Sequence, residues 1–314
     1  MTQAGQGQGH EPVLRDAVIE ALAGAGENRR YIDGTFGRGG HSRALLGRLP
    51  PEARLLVMDR DPQAIAAARV LAAEDARVSV AAGPFSGWPI AAHQQGWEAI
   101  DGLLLDLGVS SPQLDDPARG FSFRHDGPLD MRMGETGPTA ADWLATVAEA
   151  ELSQVLRELG EERFHRRIAR AIVTARAQQP ITRTGQLAAL VAAAVPTREP
   201  GKDPATRTFQ AIRIRLNDEL GELDRALAPL PDWLAPRGRC AIISFHSLED
   251  RRVKRFLRDH SRDDPASARL PVQPPPPPLR LLGRAQRPDA AERAANPRSR
   301  SAVLRLAERR PCAA

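Results

Sequence analysis

Two lysines, two cysteines and one tyrosine in 314 residues, with aromatics at 4%, mark this chain by what it does without. So little cysteine excludes a disulfide framework or a thiolate metal cluster. Cys240 sits in an apolar run and Cys312 in the tail, one core thiol and one idle thiol. The seven histidines lack ligand spacing with carboxylates or cysteines, so no metal site is expected. No window is long and apolar enough to span a bilayer, and residues 1–9 are polar and glycine-rich with no apolar stretch behind them. No membrane association and no secretory signal are expected, and the expected compartment is the cytoplasm. Arginine takes lysine's place, and the net charge of +5 is uneven: residues 251–310 hold sixteen Lys and Arg against six Asp and Glu, which leaves the remainder at −5. That asymmetry suggests a polyanion near the C-terminal part, most simply nucleic acid. A merely solvated basic face in an arginine-heavy composition stays open beside it.

Three short apolar runs each stop at an aspartate: Tyr31-Ile32-Asp33, Leu55-Leu56-Val57-Met58-Asp59 and Leu103-Leu104-Leu105-Asp106. Open parallel sheets bind ligands just beyond the carboxyl ends of their strands, so three such acids point at one crevice. An aspartate after a strand also caps helices and starts turns. Asp59, however, lies twenty residues beyond Gly39, near the offset at which an acid accepts from a ribose diol. The first run leads into Gly34-Thr35-Phe36-Gly37-Arg38-Gly39-Gly40-His41-Ser42, whose glycines let backbone approach a ligand and turn into a helix. The dinucleotide fingerprint G-x-G-x-x-G is half met: Gly37 and Gly39 fit, and Ser42 stands in the third place. Asp33 at the strand end would oppose a diphosphate but can accept from an ammonium. S-adenosylmethionine carries an ammonium, a ribose diol and no phosphate, and suits Asp33 and Asp59 better than a nicotinamide dinucleotide.

The spacing predicts a helix over residues 13–23, then alternating strand and helix signals to Asp106, a doubly wound α/β pattern. Residues 107–138, rich in glycine and proline, read as a loop too long for an ordinary connection and therefore functional. Helical segments follow at 139–150, 151–159, 164–177 and 184–194 with no strand between them, then one long helix over about 205–227. The run Cys240-Ala241-Ile242-Ile243 resumes the sheet. Residues 271–278, with five consecutive prolines, read as a stiff connector, and 279–282 and 301–306 as the last two strands. The expected division is 1–113 with 216–314 for a cofactor-binding domain, and 114–215 for an inserted helical substrate-recognition domain.

Methylating an exocyclic amine requires an acceptor that draws on the N–H while the nitrogen turns tetrahedral, because its lone pair is delocalised into the ring. A rigid polar loop at the fourth strand end can supply it, and Asp106-Leu107-Gly108-Val109-Ser110-Ser111-Pro112-Gln113 is such a loop. Enzymes acting on adenine N6 or cytosine N4 carry [Asp/Asn/Ser]-Pro-Pro-aromatic here. Ser111-Pro112-Gln113-Leu114 keeps the first two positions and lacks the ring, leaving base stacking to Phe121 or Phe123. Asp106 and Ser111 are the candidate catalytic residues. Phe85, after Gly83-Pro84, could stack on adenine or simply be core. His246 could meet the base or a phosphate, or serve as a capped helix start; both readings stay open. Residues 121–133 could form a lid. Arg163, Arg166, Arg167 and Arg170 alternate with Glu158, Glu161 and Glu162 and read as a solvated ion-pair face.

Collinear blocks from about His10 to Glu308 resemble the RsmH (MraW) family, among them His10-Glu11-Pro12-Val13-Leu14, residues 31–42, Met58-Asp59-Arg60-Asp61-Pro62, Gly83-Pro84-Phe85-Ser86, residues 105–116, Gly127-Pro128-Leu129-Asp130-Met131-Arg132, residues 243–251 and Asn296-Pro297-Arg298. The resemblance implies a class I S-adenosylmethionine-dependent methyltransferase, with a Rossmann-like doubly wound sheet and an inserted all-helical domain. It implies action on the exocyclic N4 of a decoding-centre cytidine of 16S rRNA, within the small ribosomal subunit. It also implies cofactor binding at Gly39, Gly40, His41, Asp59, Phe85, Asp106 and Gln113, with Asp33 and Gly37 nearby, and announces no general base. The alternatives are an NAD(P)-dependent oxidoreductase using the same glycines and a non-enzymatic ribosome-assembly factor that retains the cofactor pocket.

Overall fold

A computed structural model describes residues 11–27, 29–197, 201, 203–263 and 276–311. The opening segment with His10, most of the proline connector (271–275) and Cys312 lie outside the described residues. The chain forms two compact units, Met1–Gly108 with Glu222–Ala314, and Val109–Gly221. Those limits lie a few residues from the 113/114 and 215/216 read from the sequence.

The first unit is built on a seven-stranded sheet of β1 (Arg30–Asp33), β2 (Arg54–Asp59), β3 (Val78–Ala82), β4 (Ile100–Asp106), β5 (Leu234–Ser244), β6 (Leu279–Leu281) and β7 (Val303–Arg309). The strand order is β3-β2-β1-β4-β5-β7-β6, with β1 to β5 parallel and β7 antiparallel to both β5 and β6. This is the doubly wound, class I architecture expected from the sequence. Its strands are almost unbroken apolar runs because helices cover both faces. On one face Tyr31, Leu55, Val57, Leu104 and Ile243 pack with α1 (Arg15–Ala23), α2 (Gly40–Leu46) and α3 (Pro62–Glu74). On the other, Ile32, Leu56, Leu103, Leu105 and Ile242 pack with α4 (Trp88–Gln94) and α13 (Ser247–Asp259). Strand order reverses between β1 and β4, where crossovers leave the sheet in opposite directions and open a crevice at the carboxyl ends. The opposite end of β1 is anchored by Asp101 of β4. Its carboxylate, 5% exposed, accepts from the backbone N–H of Glu27, Arg29 and Arg30 at 2.8, 3.1 and 2.9 Å.

The second unit holds α5 (Ser111–Asp115), α6 (Ala140–Thr146), α7 (Glu149–Gly160), α8 (His165–Gln178), α9 (Thr184–Ala194) and α10 (Thr206–Asn217) around one core that includes Leu144, Leu156, Ile172, Leu187 and Ile212. The single helix expected over 205–227 is two: Asp218 turns left-handed (φ 49°) after Asn217, and α11 (Glu219–Leu227) begins anew. Apolar periodicity runs on through the break, so the pattern hides it. The first unit is completed by α12 (Leu230–Trp233) and α14 (Ala290–Ala295). Of the basic edge read on α8, Arg170 pairs with Glu149 at 3.6 Å.

The run 121–133, read as a lid, is built into the helical unit. Asn217 accepts from Met133 N–H (2.9 Å) and donates to Met131 O (2.8 Å), Arg119 donates to the carbonyls of Arg132 and Met133 at 3.0 Å each, and Gly127 N–H reaches Thr184 Oγ1 at 3.0 Å. Phe121 is buried, and Phe123 meets Phe209 edge-on at 4.9 Å. The Phe121 ring is taken up by this unit's core, whereas Phe123 is half-buried against it.

Candidate functional site

Within the first unit the loop after β1 is shaped by its own backbone. Gly34 N–H donates to Leu104 O at 3.0 Å and Phe36 N–H to Met58 O at 2.9 Å, which ties the loop to both neighbouring strands. A Cβ on Gly34 would fall 2.7 Å from Leu105 Cδ2, so only glycine lets the loop cross β4 so closely. Gly39 is left-handed (φ 77°) as the N-cap of α2, and a Cβ there would lie 2.5 Å from Phe36 Cζ.

The three strand-end aspartates differ in their partners. Asp33, 1% exposed, accepts from Ser42 Oγ–H at 2.6 Å and from Thr35 N–H at 3.0 Å. Burial outweighs those bonds and, with the charge of Asp59, pushes its carboxyl up to about 6. Ser42 thus occupies the fingerprint's missing-glycine position because its hydroxyl serves Asp33. Asp59 accepts from Asp61 N–H at 2.9 Å through Oδ1 and from Gly37 N–H at 2.8 Å through Oδ2, and the Arg60 backbone adds a further bond. A carboxylate can accept about four, so acceptor capacity remains. Burial first, and then the charge of Asp61, hold this carboxyl above the usual range. Phe85 opens a short helical turn after β3, half-buried against the second core face and beside Gly34.

Asp106 is oriented through its main chain, whose N–H donates to Thr35 Oγ1 at 2.6 Å. Its Oδ1 is buried without a hydrogen-bond partner, and its Oδ2 lies 3.6 Å from His41 Nδ1, too far for a hydrogen bond. Burial, then the charges of Asp33 and Glu249, push the Asp106 carboxyl up to about 8. His41, 6% exposed, sits 3.0 Å from Val13 O through Nε2. A carbonyl only accepts, so Nε2 carries the ring proton and Nδ1 presents its lone pair toward Asp106. Burial pushes the His41 pKa down to about 4, against the pull of that carbonyl, so the ring is neutral at pH 7. With Asp106 ionised, the crevice presents acceptors to acceptors. A ligand bringing N–H donors or positive charge completes it, and one bringing phosphate does not.

In the second unit, Ser110 caps α5 and its N–H donates to Gln113 Oε1 at 2.9 Å. Gln113 is buried, and Ser111 is the half-buried first residue of that helix. The structure thus gathers Gly39, Gly40, His41, Asp59, Phe85 and Asp106 at one sheet edge, while Ser111 and Gln113 belong to the helical unit. Sequence reasoning passed over Thr35, which orients Asp106, and Val13, whose carbonyl fixes the His41 tautomer. The first carried a signal as a hydroxyl inside a glycine loop; the second carried none, since a main-chain carbonyl has no residue-type signature.

Curated relatives agree along nearly the whole chain. Ribosomal RNA small subunit methyltransferase H of Thiobacillus denitrificans is 56% identical over 304 residues, covering 96% of this chain and 97% of that one. The protein of the same name from Azoarcus sp. is 55% identical, covering 96% of both. Among solved structures, a putative rRNA-methylase from Clostridium thermocellum aligns over 96% of this chain and 99% of that one at 11% identity and a TM-score of 0.43, too distant to bear on the site. With residues 7–310 matching the MraW methylase family and its strand-end acids standing at the crevice of a doubly wound sheet, the chain belongs to that family.

Proposed function

We propose that this protein is an S-adenosylmethionine-dependent methyltransferase acting on the exocyclic N4 of a decoding-centre cytidine in 16S rRNA, presented in the small ribosomal subunit. Family membership and relatives named for small-subunit rRNA methylation support the reaction class and substrate, and do not favour the nicotinamide alternative. The observation that carries the reading is the acceptor-rich crevice: Asp33, Asp59 and Asp106 with raised pKa values, faced by the His41 lone pair. S-adenosylmethionine fits it, bringing an ammonium, a sulfonium and a ribose diol where a dinucleotide brings two phosphates. Among the described residues no helix is long and apolar enough to cross a membrane. A ribosomal RNA substrate supports a place in the cytoplasm beside the ribosome.

When bound, S-adenosylmethionine supplies an electrophilic methyl group on its sulfonium sulfur. Asp59 offers its remaining acceptor capacity to the ribose hydroxyls. Gly39, Gly40 and the backbone of His41 admit the cofactor closely, and Phe85 offers its half-exposed ring to the adenine. Asp106 Oδ2 and His41 Nδ1, 3.6 Å apart, would together hold the ammonium, whose charge would favour the ionised form of the Asp106 carboxyl. Asp106 Oδ1 then accepts from the target amine, draws electron density onto the nitrogen and receives the proton that the nitrogen sheds. By family resemblance Gln113 joins the cofactor set, and Ser111 is the catalytic candidate read from the Ser-Pro motif of the loop after Asp106. Tritium transfer from labelled S-adenosylmethionine to 16S rRNA tests the assignment. Asp106→Ala is expected to lose transfer by at least about a hundredfold, comparable with removing one preorganised transition-state hydrogen-bond group. Full activity in that variant would refute the role given to Asp106.

A further inference from the structure

β5 ends at Ser244, and the chain passes through Phe245 and His246 into α13. Ile243 lies beside Asp106 in the parallel ladder, and Leu107 N–H donates to Ile243 O at 3.0 Å, so this segment leaves the strand end next to Asp106. His246 caps α13, its Nδ1 accepting from Glu249 N–H at 3.4 Å. In return Glu249 Oε2 accepts from the N–H groups of Phe245 (2.8 Å) and His246 (3.3 Å). The reciprocal box fixes the ring, and because Nδ1 accepts, the ring proton sits on Nε2.

That Nε2–H is a buried donor without a hydrogen-bond partner. It lies 3.1 Å from Glu249 Oε1, but off the direction that a hydrogen bond requires. Ser244 Oγ at the same strand end, and Asp106 Oδ1 on the neighbouring strand, are also buried and unmatched. Capping alone accounts for Nδ1 and for Glu249 but leaves Nε2 unexplained. Among the described residues seven buried side-chain polar atoms lack a partner, and what sets these three apart is their place at or just beyond the ends of two neighbouring strands, where one ligand carrying both donors and acceptors could match them.

We propose that His246 donates from Nε2 to the ring nitrogen beside the target amine, so that Asp106 Oδ1 and His246 Nε2 together read an amino-substituted base edge. The inference rests on the transfer to cytidine N4 proposed above. Cytosine presents an amine donor next to the N3 acceptor; uracil presents a carbonyl acceptor next to an N–H donor. The same two protein groups would meet uracil acceptor to acceptor and donor to donor, which rejects it. His246 is on this account a specificity-determining residue, and Glu249 positions it.

The test is methyl transfer to small subunits whose target cytidine is replaced by 3-deazacytidine, which keeps the amine and turns N3 into C–H. Wild type should lose about 10- to 100-fold in kcat/KM on the deaza substrate, the range for a buried donor left without its acceptor. His246→Ala should show a similar loss on cytidine and little further loss on 3-deazacytidine. His246→Gln, whose amide can offer an N–H near the Nε2 position, should recover part of the cytidine activity. Equal wild-type activity on the two substrates overturns the inference, as do losses that multiply fully between variant and base. S-adenosylhomocysteine affinity of His246→Ala should match wild type; a loss as large as that in kcat/KM would make the residue structural and overturn the proposal. If that variant does not fold, the wild-type comparison decides alone. Wild type inactive on unmodified cytidine subunits would instead overturn the function itself, and this inference with it.

Discussion

Binding of S-adenosylhomocysteine, which carries the same ammonium, should release a proton from Asp106. In the ligand-free protein burial and two neighbouring acids push this carboxyl up to about 8, so at pH 7 it is about 90% protonated. An ammonium placed between Oδ2 and the His41 lone pair favours the ionised form, and the proton leaves. Isothermal titration in buffers of different ionisation enthalpy counts it: close to one proton per ligand at pH 7, falling to about 0.1 at pH 9. Asp33, pushed up to about 6, is largely ionised at pH 7 and adds about 0.1 proton. Asp106→Asn keeps the shape and removes the titrating group, so the wild-type minus variant difference isolates its share. A proton count that does not change with pH, or that survives in Asp106→Asn, would refute the reasoning.

The ligand-free protein should also lose stability as pH rises. A carboxyl whose folded pKa lies above its unfolded value contributes stability that is complete below about 4 and is lost as pH rises through the folded value, here about 6 for Asp33 and about 8 for Asp106. Tm measured from pH 5 to 8.5 should fall, and Asp106→Asn should flatten the upper part of that fall; a Tm that rises over this window would contradict the signs. Gly39→Ala forces a left-handed alanine at about 1–2 kcal/mol and drives its Cβ against Phe36. Calorimetry should show S-adenosylhomocysteine affinity reduced at least about tenfold, and unchanged affinity would refute the loop's role. Asp101→Ala strips three backbone N–H groups of their acceptor, far from the crevice. It should cost about 3 kcal/mol, or roughly 6–12 °C in Tm, with transfer activity per folded molecule unchanged.

The parallel sheet was legible because both faces of each strand are buried, which writes apolar runs such as Leu103-Leu104-Leu105 with an acid at the end. Helices α8 and α9 were legible from their periodicity. The break at Asp218 was not, because an aspartate tolerates the left-handed conformation without a glycine to announce it. Nor was the fixed course of residues 121–133, which depends on Asn217 some eighty positions away. At the site, the sequence named the acids and gave each an expected role, but not the partners that hold it. Ser42 and Thr35 on Asp33, Gly37 on Asp59 and an unmatched oxygen on Asp106 give three identical side chains three different surroundings.

The most direct measurement is mass mapping of modified nucleosides in 16S rRNA after small subunits have been incubated with the protein and labelled S-adenosylmethionine. The account predicts one N4-methylcytidine, at a decoding-centre cytidine, absent when Asp106→Ala replaces the wild type. Label on another base, on a ring carbon or on ribose, or no label in 16S rRNA from subunits that lack the modification, would contradict it.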